Sequence, residues 1–247
     1  MLTRAIKTRL LQPPRDDFFS AIKARLQRIP ERSIVVVASK AVSIHEGRCI
    51  PVADVPDKDA LVYSEADKHL PRSKTPHGYA VLTIKDRILI PSAGIDESNA
   101  GAYYILWPKK PMRSAKELWQ FLRTEYQVKN FGVIIADSHT VPMRRGTMGI
   151  AIGYYGLHPI NDYRGTGDLF GRKLKVSTVD VVDSLAATAV LAMGEGSEQQ
   201  PLALITGVPF ATFSARPYQP KGRRSSLHIG WNEDLYGPLL RAVTWKK

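Results

Sequence analysis

Hydrophobic positions along this chain fall into short runs separated by polar stretches that carry glycine and proline. Three runs, Ser33 to Ser39, Phe131 to Ala136 and Leu202 to Thr206, are nearly continuous and mostly β-branched or aliphatic. Each is too short for an independent helix, and an unbroken apolar run implies burial on both faces, so they predict internal strands. Gly149 to Tyr155 predicts a fourth strand, and Tyr79 to Ile90 a hairpin turning at Lys85-Asp86. Helical spacing begins where Phe18, Ile22, Leu26 and Ile29 recur between Asp16-Asp17 and Pro30, which predicts a helix over 16–29. Ser114 and Glu117 have the spacing of a capping box, followed by Ala115, Leu118, Trp119, Leu122 and Tyr126 on one face. Val182, Leu185, Ala186, Ala189 and Met193 mark a third helix ending at Gly194, and its alanines suit close packing against another element or subunit.

Composition changes this picture little. A chain of 247 residues can bury a substantial core as one large domain or as two interlocked lobes, and length does not decide between them. Its 44% hydrophobic and 23% charged residues are those of a soluble globular protein, and no apolar stretch approaches a membrane span. Met1 to Leu11 lacks a long apolar segment with a cleavage site, which argues against secretion, although its basic amphipathic character also fits a transit peptide. The lone Cys49 excludes an intrachain disulfide and fits a reducing compartment, so a cytoplasmic protein is expected.

Charge is more informative. The net charge of +12 gathers near the two ends, at Arg4, Lys7 and Arg9 and again at Arg216, Lys221, Arg223 and Arg224, and calls for an anionic partner. No aromatic stacking pattern or nucleic-acid motif accompanies these residues, which argues against nucleic acid, and a nucleotide explains the charge as well. Neither a Walker loop nor a dinucleotide fingerprint is present, so a nucleotide site must be of another type.

Candidate chemistry sits at element ends. Asp137 follows the Phe131 strand, Asp96 follows the hairpin, and Ser138 and Glu195 are oxygen donors beside other element ends. Divalent cations on a triphosphate need several such ligands converging on one cleft. Spacing alone leaves Asp137 open to a second reading, as the cap of a turn with Ser138 and His139, and favours that reading. Arg144 and Arg145 suit a phosphate or a substrate carboxylate, or a solvated turn. His139 could act as a base beside a metal or simply be exposed, and the other histidines show no ligand spacing.

Taken in order, Ser39 to Arg48, Gly94 to Asn99, Ala136-Asp137-Ser138 with Arg145-Gly146, Ala151 to Gly156, Asp162 to Gly165, Asp168 to Arg172, and Asp183 with Met193-Gly194 resemble the coenzyme F-420:γ-glutamyl ligase family over residues 8 to 207. The resemblance implies an α/β fold of the α+β type, with mixed sheets and packed helices, in an intertwined homodimer. It covers one ligase-like domain and leaves the 208–247 tail unmatched. It also implies GTP as co-substrate, two Mg²⁺ or Mn²⁺ ions, L-glutamate and an acidic acceptor. By position, Asp96 and Asp137 resemble ligands of a first cation, and Ser138 and Glu195 those of a second. Leu11, Gln12, Pro13, Pro14, Ser39, Lys40, Asn99 and the loop Met193 to Gln200, with Gly194 and Glu198, resemble nucleotide contacts.

Three positions depart from the family pattern: Ile44 replaces a lysine, Ser138 a threonine and Glu195 a glutamine. The expected reaction is phosphoryl transfer to the acceptor carboxylate followed by attack of the glutamate amine. Arg144 or Arg145 is expected to hold the acceptor or the glutamate. Two other activities stay open, a metal-dependent phosphohydrolase with water as acceptor, and a non-enzymatic anion- or RNA-binding protein.

Overall fold

The computed structural model describes residues 1–217 and 227–247, so Lys221, Arg223 and Arg224 lie outside the described residues. In chain order the elements begin with β1 (Leu2–Ile6), α1 (Phe18–Lys23), β2 (Ser33–Ala38), α2 (Ser39–Glu46), β3 (Cys49–Pro51) and α3 (Lys58–Glu65). They continue with β4 (Lys68–His69), β5 (Leu82–Lys85), β6 (Ile88–Pro91), β7 (Tyr103–Ile105), α4 (Pro111–Tyr126), β8 (Phe131–His139) and β9 (Met148–Tyr155). The last are β10 (Ile160–Asp162), β11 (Thr178–Asp180), α5 (Val181–Met193), β12 (Leu202–Thr206) and α6 (Gly237–Arg241).

Five strands form the central sheet in the order β1-β12-β2-β8-β9. Only β2 and β8 run parallel, paired from Ser33 with Phe131 to Ala38 with Ala136. The remaining pairs are antiparallel, so the sheet is mixed. Because side chains alternate along a strand, the apolar runs feed two cores at once. Val35, Val37, Val133, Ile135 and Leu204 face α1, α2 and α4, meeting Phe18, Ile22, Leu118, Trp119 and Leu122. Ile34, Val36, Ile134, Ala136, Ala203 and Ile205 face α5, meeting Val182, Leu185, Ala186 and Ala189. Each fully buried Ile or Leu among them contributes about 1.5–3 kcal/mol relative to exposure.

The small residues of α5 let it lie close to the sheet. A Cβ at Gly149 would overlap the Ala186 carbonyl, so the close approach of α5 to β9 depends on that glycine. The start of α5 is tied to β9 by Asp183, whose Oδ1 accepts the Ala151 N–H at 2.8 Å. Asp180 caps the helix by accepting from Asp183 N, and burial followed by the neighbouring Asp183 carboxyl pushes it up to about 7. Between Ile135 and Ala136 the β8–β9 register slips, leaving Ile152 as the extra residue of a bulge just before Asp137.

Between α2 and α4 the chain builds a smaller assembly from α3, the β3–β7 pair and the β4-β5-β6 sheet. Its core is Val62, Val81, Ala93, Ile95, Tyr104 and Leu106. Ile44, Ala100 and Ile105 join it to α2. Glu65 binds two cations here, Arg48 at 2.8 Å and Lys85 at 2.6 Å. The carboxy-terminal residues return to this assembly, where Lys246 pairs with His69 in antiparallel register.

Several elements differ from their sequence-based outlines. The first helix stops at Lys23, yet Leu26 and Ile29 are still buried. The chain leaves the helix at Ala24 while keeping its apolar side inward at Leu26 and Ile29. Helix α4 starts at Pro111, which supplies a fixed φ and needs no donor, so Ser114 is inside the helix and makes no capping box. The expected face is nonetheless buried at Ala115, Leu118, Trp119 and Leu122. The hairpin turns at Asp86-Arg87, one residue later than expected, with both at positive φ. Strand β8 runs through Asp137 and Ser138 to His139 instead of ending at Ala136. The basic start becomes the edge strand β1, which the charge pattern had hidden.

Burial pushes the Glu65 carboxyl up, but Lys85 and Arg48 outweigh it and hold the group below its ordinary value. The ionised pair therefore stabilises the fold above an unfolded value of about 4.3, and that contribution is lost as pH falls through the lower folded value. Glu65→Gln is expected to cost about 1–3 kcal/mol near pH 7, because two partly buried cations then lack a counter-charge. Urea unfolding of both proteins should show the difference shrinking between pH 5 and pH 3, and a constant difference would contradict this account.

Candidate active site

The parallel pairing of β2 with β8 brings their carboxyl ends to one edge, and the next residue on each chain is polar. Ala38 pairs with Ala136, so Ser39 at the start of α2 and Asp137 near the end of β8 stand side by side. Ser39 Oγ donates to Asp137 Oδ1 at 3.1 Å. Asp96 arrives from the smaller assembly, fixed by a two-way backbone pairing with Ile105. The Gly194–Gln200 loop comes from the end of α5 and is held by Pro201 O, which accepts the Ala38 N–H at 2.9 Å. These segments enclose a cavity of about 410 Å³.

Its polar contents are arranged in linked pairs. Lys40 Nζ lies 2.7 Å from Asp96 Oδ2 and donates to Ser98 O at 2.5 Å. Ser138 Oγ donates to Glu195 Oε1 at 2.6 Å. Asn99 Nδ2 donates to Gly196 O at 3.0 Å, and Gly196 N to Glu198 Oε2 at 2.8 Å. Gln199 Nε2 reaches back to Thr8 O at 2.9 Å, fastening the far side of the loop to the segment after β1. Four acidic side chains, Asp96, Asp137, Glu195 and Glu198, thus line the same space as Lys40.

The two aspartates are poised differently. Burial pushes Asp96 up, but Lys40 and Ser98 outweigh it and keep the carboxyl below the ordinary range. Asp137 is pushed up to about 6, first by burial and further by the charge of Asp96. Trp107 Nε1, the Ser138 N–H and Ser39 oppose this shift as hydrogen-bond donors to its carboxylate. All three donors are uncharged, so Asp137 stays an electron-rich, poorly neutralised group facing a second acid. Carboxylate and hydroxyl oxygens are the donor set that Mg²⁺ or Mn²⁺ prefers, and a divalent ion would offset both the burial and the repulsion at Asp137. Among the described residues no three His, Cys, Asp or Glu side chains are grouped to enclose an ion.

Most residues singled out from the sequence meet here. Leu11, Ser39, Lys40, Asp96, Asn99, Asp137, Ser138, Met193, Gly194, Glu195 and Glu198 all line the cavity. Gln12, Pro13 and Pro14 do not; they form the turn after Leu11, where Gln12 N donates to Asp16 Oδ2 at 2.8 Å. Arg144 and Arg145 are exposed on the β8–β9 loop and do not line the cavity either. His139 is on β8 with Nδ1 3.1 Å from Met148 O. Ile44 is buried at the cavity wall, packed with Ala100 and Ile105. Sequence reasoning passed over Thr8, Arg9 and Trp107. Arg9 carried only a general charge signal, and in the structure it pairs with Asp16 at 2.6 Å on the cavity rim. Trp107 ends an apolar stretch, and nothing in its spacing marks a donor to a carboxylate 30 residues away.

A family model described as F420-0:Gamma-glutamyl ligase matches residues 5–207. Among curated proteins, coenzyme F420:L-glutamate ligase of Methanopyrus kandleri is 33% identical over 209 residues, covering 79% of this chain and 82% of that protein. The protein of the same name from Methanothermobacter thermautotrophicus is 33% identical over 205 residues, with 77% and 81% covered. That of Methanosarcina barkeri is 33% identical over 223 residues, with 83% and 87% covered. The matched span contains every residue that lines the cavity, and the chain belongs to the F420-0:gamma-glutamyl ligase family, a family of amide-forming ligases.

Proposed function

We propose that this chain joins L-glutamate to an F420-0-like acidic acceptor in a reaction driven by GTP and dependent on Mg²⁺ or Mn²⁺. The observation that carries the reading is the convergence of Asp96, Asp137 and the Ser138–Glu195 pair on one cavity with Lys40 and Asn99. Asp96 and Asp137 would hold one ion and Ser138 and Glu195 a second, and bound ions would neutralise the triphosphate and the charge that develops on the transferred phosphoryl group. The Leu11–Pro14 segment, Ser39, Lys40, Asn99 and the loop through Met193, Gly194 and Glu198 are the proposed nucleotide contacts. Lys40, now on Asp96 and Ser98, is long enough to exchange those partners for a phosphate oxygen.

The chemistry balances in two steps. An acceptor carboxylate oxygen bonds to the γ-phosphorus as the bond to the β-phosphate oxygen breaks, giving an acyl phosphate and GDP. The glutamate amine then attacks the acyl carbon, inorganic phosphate leaves, and the amine proton passes to the departing phosphate. Positioning supplies most of the acceleration. A cavity built across five chain segments brings these groups together. Arg144 and Arg145, exposed beside the Asp137 strand, are the proposed contacts for the anionic acceptor or the glutamate. We read the assembly as a homodimer, consistent with the exposed apolar side chains Met143, Leu169, Phe170 and Val176 on the β8–β9 and β10–β11 connections. The location is read as cytoplasmic, and no helix among the described residues is long and apolar enough to cross a membrane.

Incubation with GTP, Mn²⁺, L-glutamate and an F420-0-type acceptor should yield a product heavier by one glutamyl residue in mass spectrometry. Asp96→Asn and Asp137→Asn should each lower kcat/KM on the order of 100- to 1,000-fold through lost electrostatic stabilisation. Phosphate release that ignores glutamate and acceptor would instead identify a phosphohydrolase. For the exposed pair, the double variant R144A/R145A should raise KM for acceptor or glutamate by about tenfold or more, with KM for GTP unchanged. Unaltered steady-state constants in that variant would remove both arginines from the substrate site. Sedimentation velocity should give about twice the 27.5 kDa chain mass, and a monomer would refute the dimer.

A further inference from the structure

Trp107 is fully buried yet spends its one polar atom on the cavity. Its Nε1–H donates to Asp137 Oδ2, while Ser39 Oγ takes Oδ1 from the opposite side. Gly94, two residues before Asp96, lies against the same ring: it has φ +71°, and a Cβ there would fall inside the indole. The indole is therefore a spacer wedged between the backbone that carries Asp96 and the carboxylate of Asp137. Its own placement is over-determined. Arg48 Nε donates to Trp107 O at 3.0 Å, Lys85 Nζ stands 5.7 Å from the ring centroid, and Arg48 and Lys85 are both anchored on Glu65.

Building on the reading of Asp96 and Asp137 as cation ligands, we propose that Trp107 is a positioning residue. It fixes the rotamer of Asp137 and the separation of the two carboxylates, so that the site for a divalent cation is formed before the cation arrives. The choice of residue has a physical reason. An arginine or lysine at this place would orient Asp137 equally well but would neutralise it and compete with the ion. An indole supplies one rigid donor with no charge, orienting the ligand and leaving its negative charge for the metal.

The test is Mn²⁺ binding to the nucleotide-free protein, followed by electron paramagnetic resonance. Trp107→Phe keeps an aromatic ring and removes the donor together with part of the ring volume. It should raise the Mn²⁺ dissociation constant by about 10- to 100-fold in the folded variant, and activity should recover as Mn²⁺ is raised. Where that variant does not fold, the wild-type protein answers alone. The Trp107 indole ¹H–¹⁵N signal, assigned by elimination from single Phe variants of the other three tryptophans, should move on Mg²⁺ addition. The Trp119 and Trp245 signals, bonded to the Phe131 and Leu240 carbonyls, should stay in place. Wild-type affinity in Trp107→Phe, or an indole signal indifferent to Mg²⁺, would overturn the role of Trp107 while leaving Asp96 and Asp137 as ligands. Equal, negligible Mn²⁺ binding by wild type and Asp137→Asn would overturn the ligand reading and this inference together.

Discussion

The parallel pairing of β2 with β8 is the constraint on which the rest of this molecule depends. Both strands are buried on both faces, so their register is held by two cores at once, and a slip of one residue would exchange every side chain between them. That register delivers Ser39 and Asp137 to the same edge as neighbours. The cavity is a consequence of strand pairing first and of side-chain chemistry second.

The edge alone would be a shallow notch. It becomes a site because the chain between α2 and α4 folds into a second assembly with a core of its own, and returns Asp96 and Asn99 to the cavity and Trp107 to the carboxylate of Asp137. Helix α5 contributes from the opposite face, ending at Gly194 where the loop to Gln200 crosses the opening. Hydrogen bonds from Asn99, Ser138 and the Thr8–Gln199 pair tie this loop to three other segments, so it is shaped before any substrate enters. Within the cavity the charges are left unresolved: Lys40 satisfies Asp96, and only neutral donors reach Asp137. This imbalance is costly for a buried acid.

Particular elements show how far the sequence carried. The runs at Ile34 to Val37 and Phe131 to Ala136 were legible as strands because burial on both faces leaves no polar position to disguise them. The α4 face was legible for the same reason, since Leu118, Trp119 and Leu122 recur at helical spacing against one core. Its start was not, because Ser114 and Glu117 imitate a capping box while Pro111 sets the true first turn. Strand β1 was hidden by Arg4, whose charge is tolerable on an edge strand with one side in solvent, and by Lys7 just beyond it. The candidate oxygen ligands Asp96, Asp137, Ser138 and Glu195 stood out chiefly through ordered resemblance to a family, and spacing alone had favoured a turn residue at Asp137.

By itself, then, the sequence determined the internal strands, the faces of three helices and the family, because local periodicity and ordered motifs are properties of neighbouring residues. Tertiary structure decided what each polar group does. Arg9 was committed to Asp16 and Arg144 and Arg145 were left exposed on a loop, although all three had looked like anion binders. Trp107, which the sequence did not single out, became the donor that holds Asp137. Such outcomes depend on which distant segments meet and on how much water their meeting removes, and neither quantity is written in the spacing of residues along a chain.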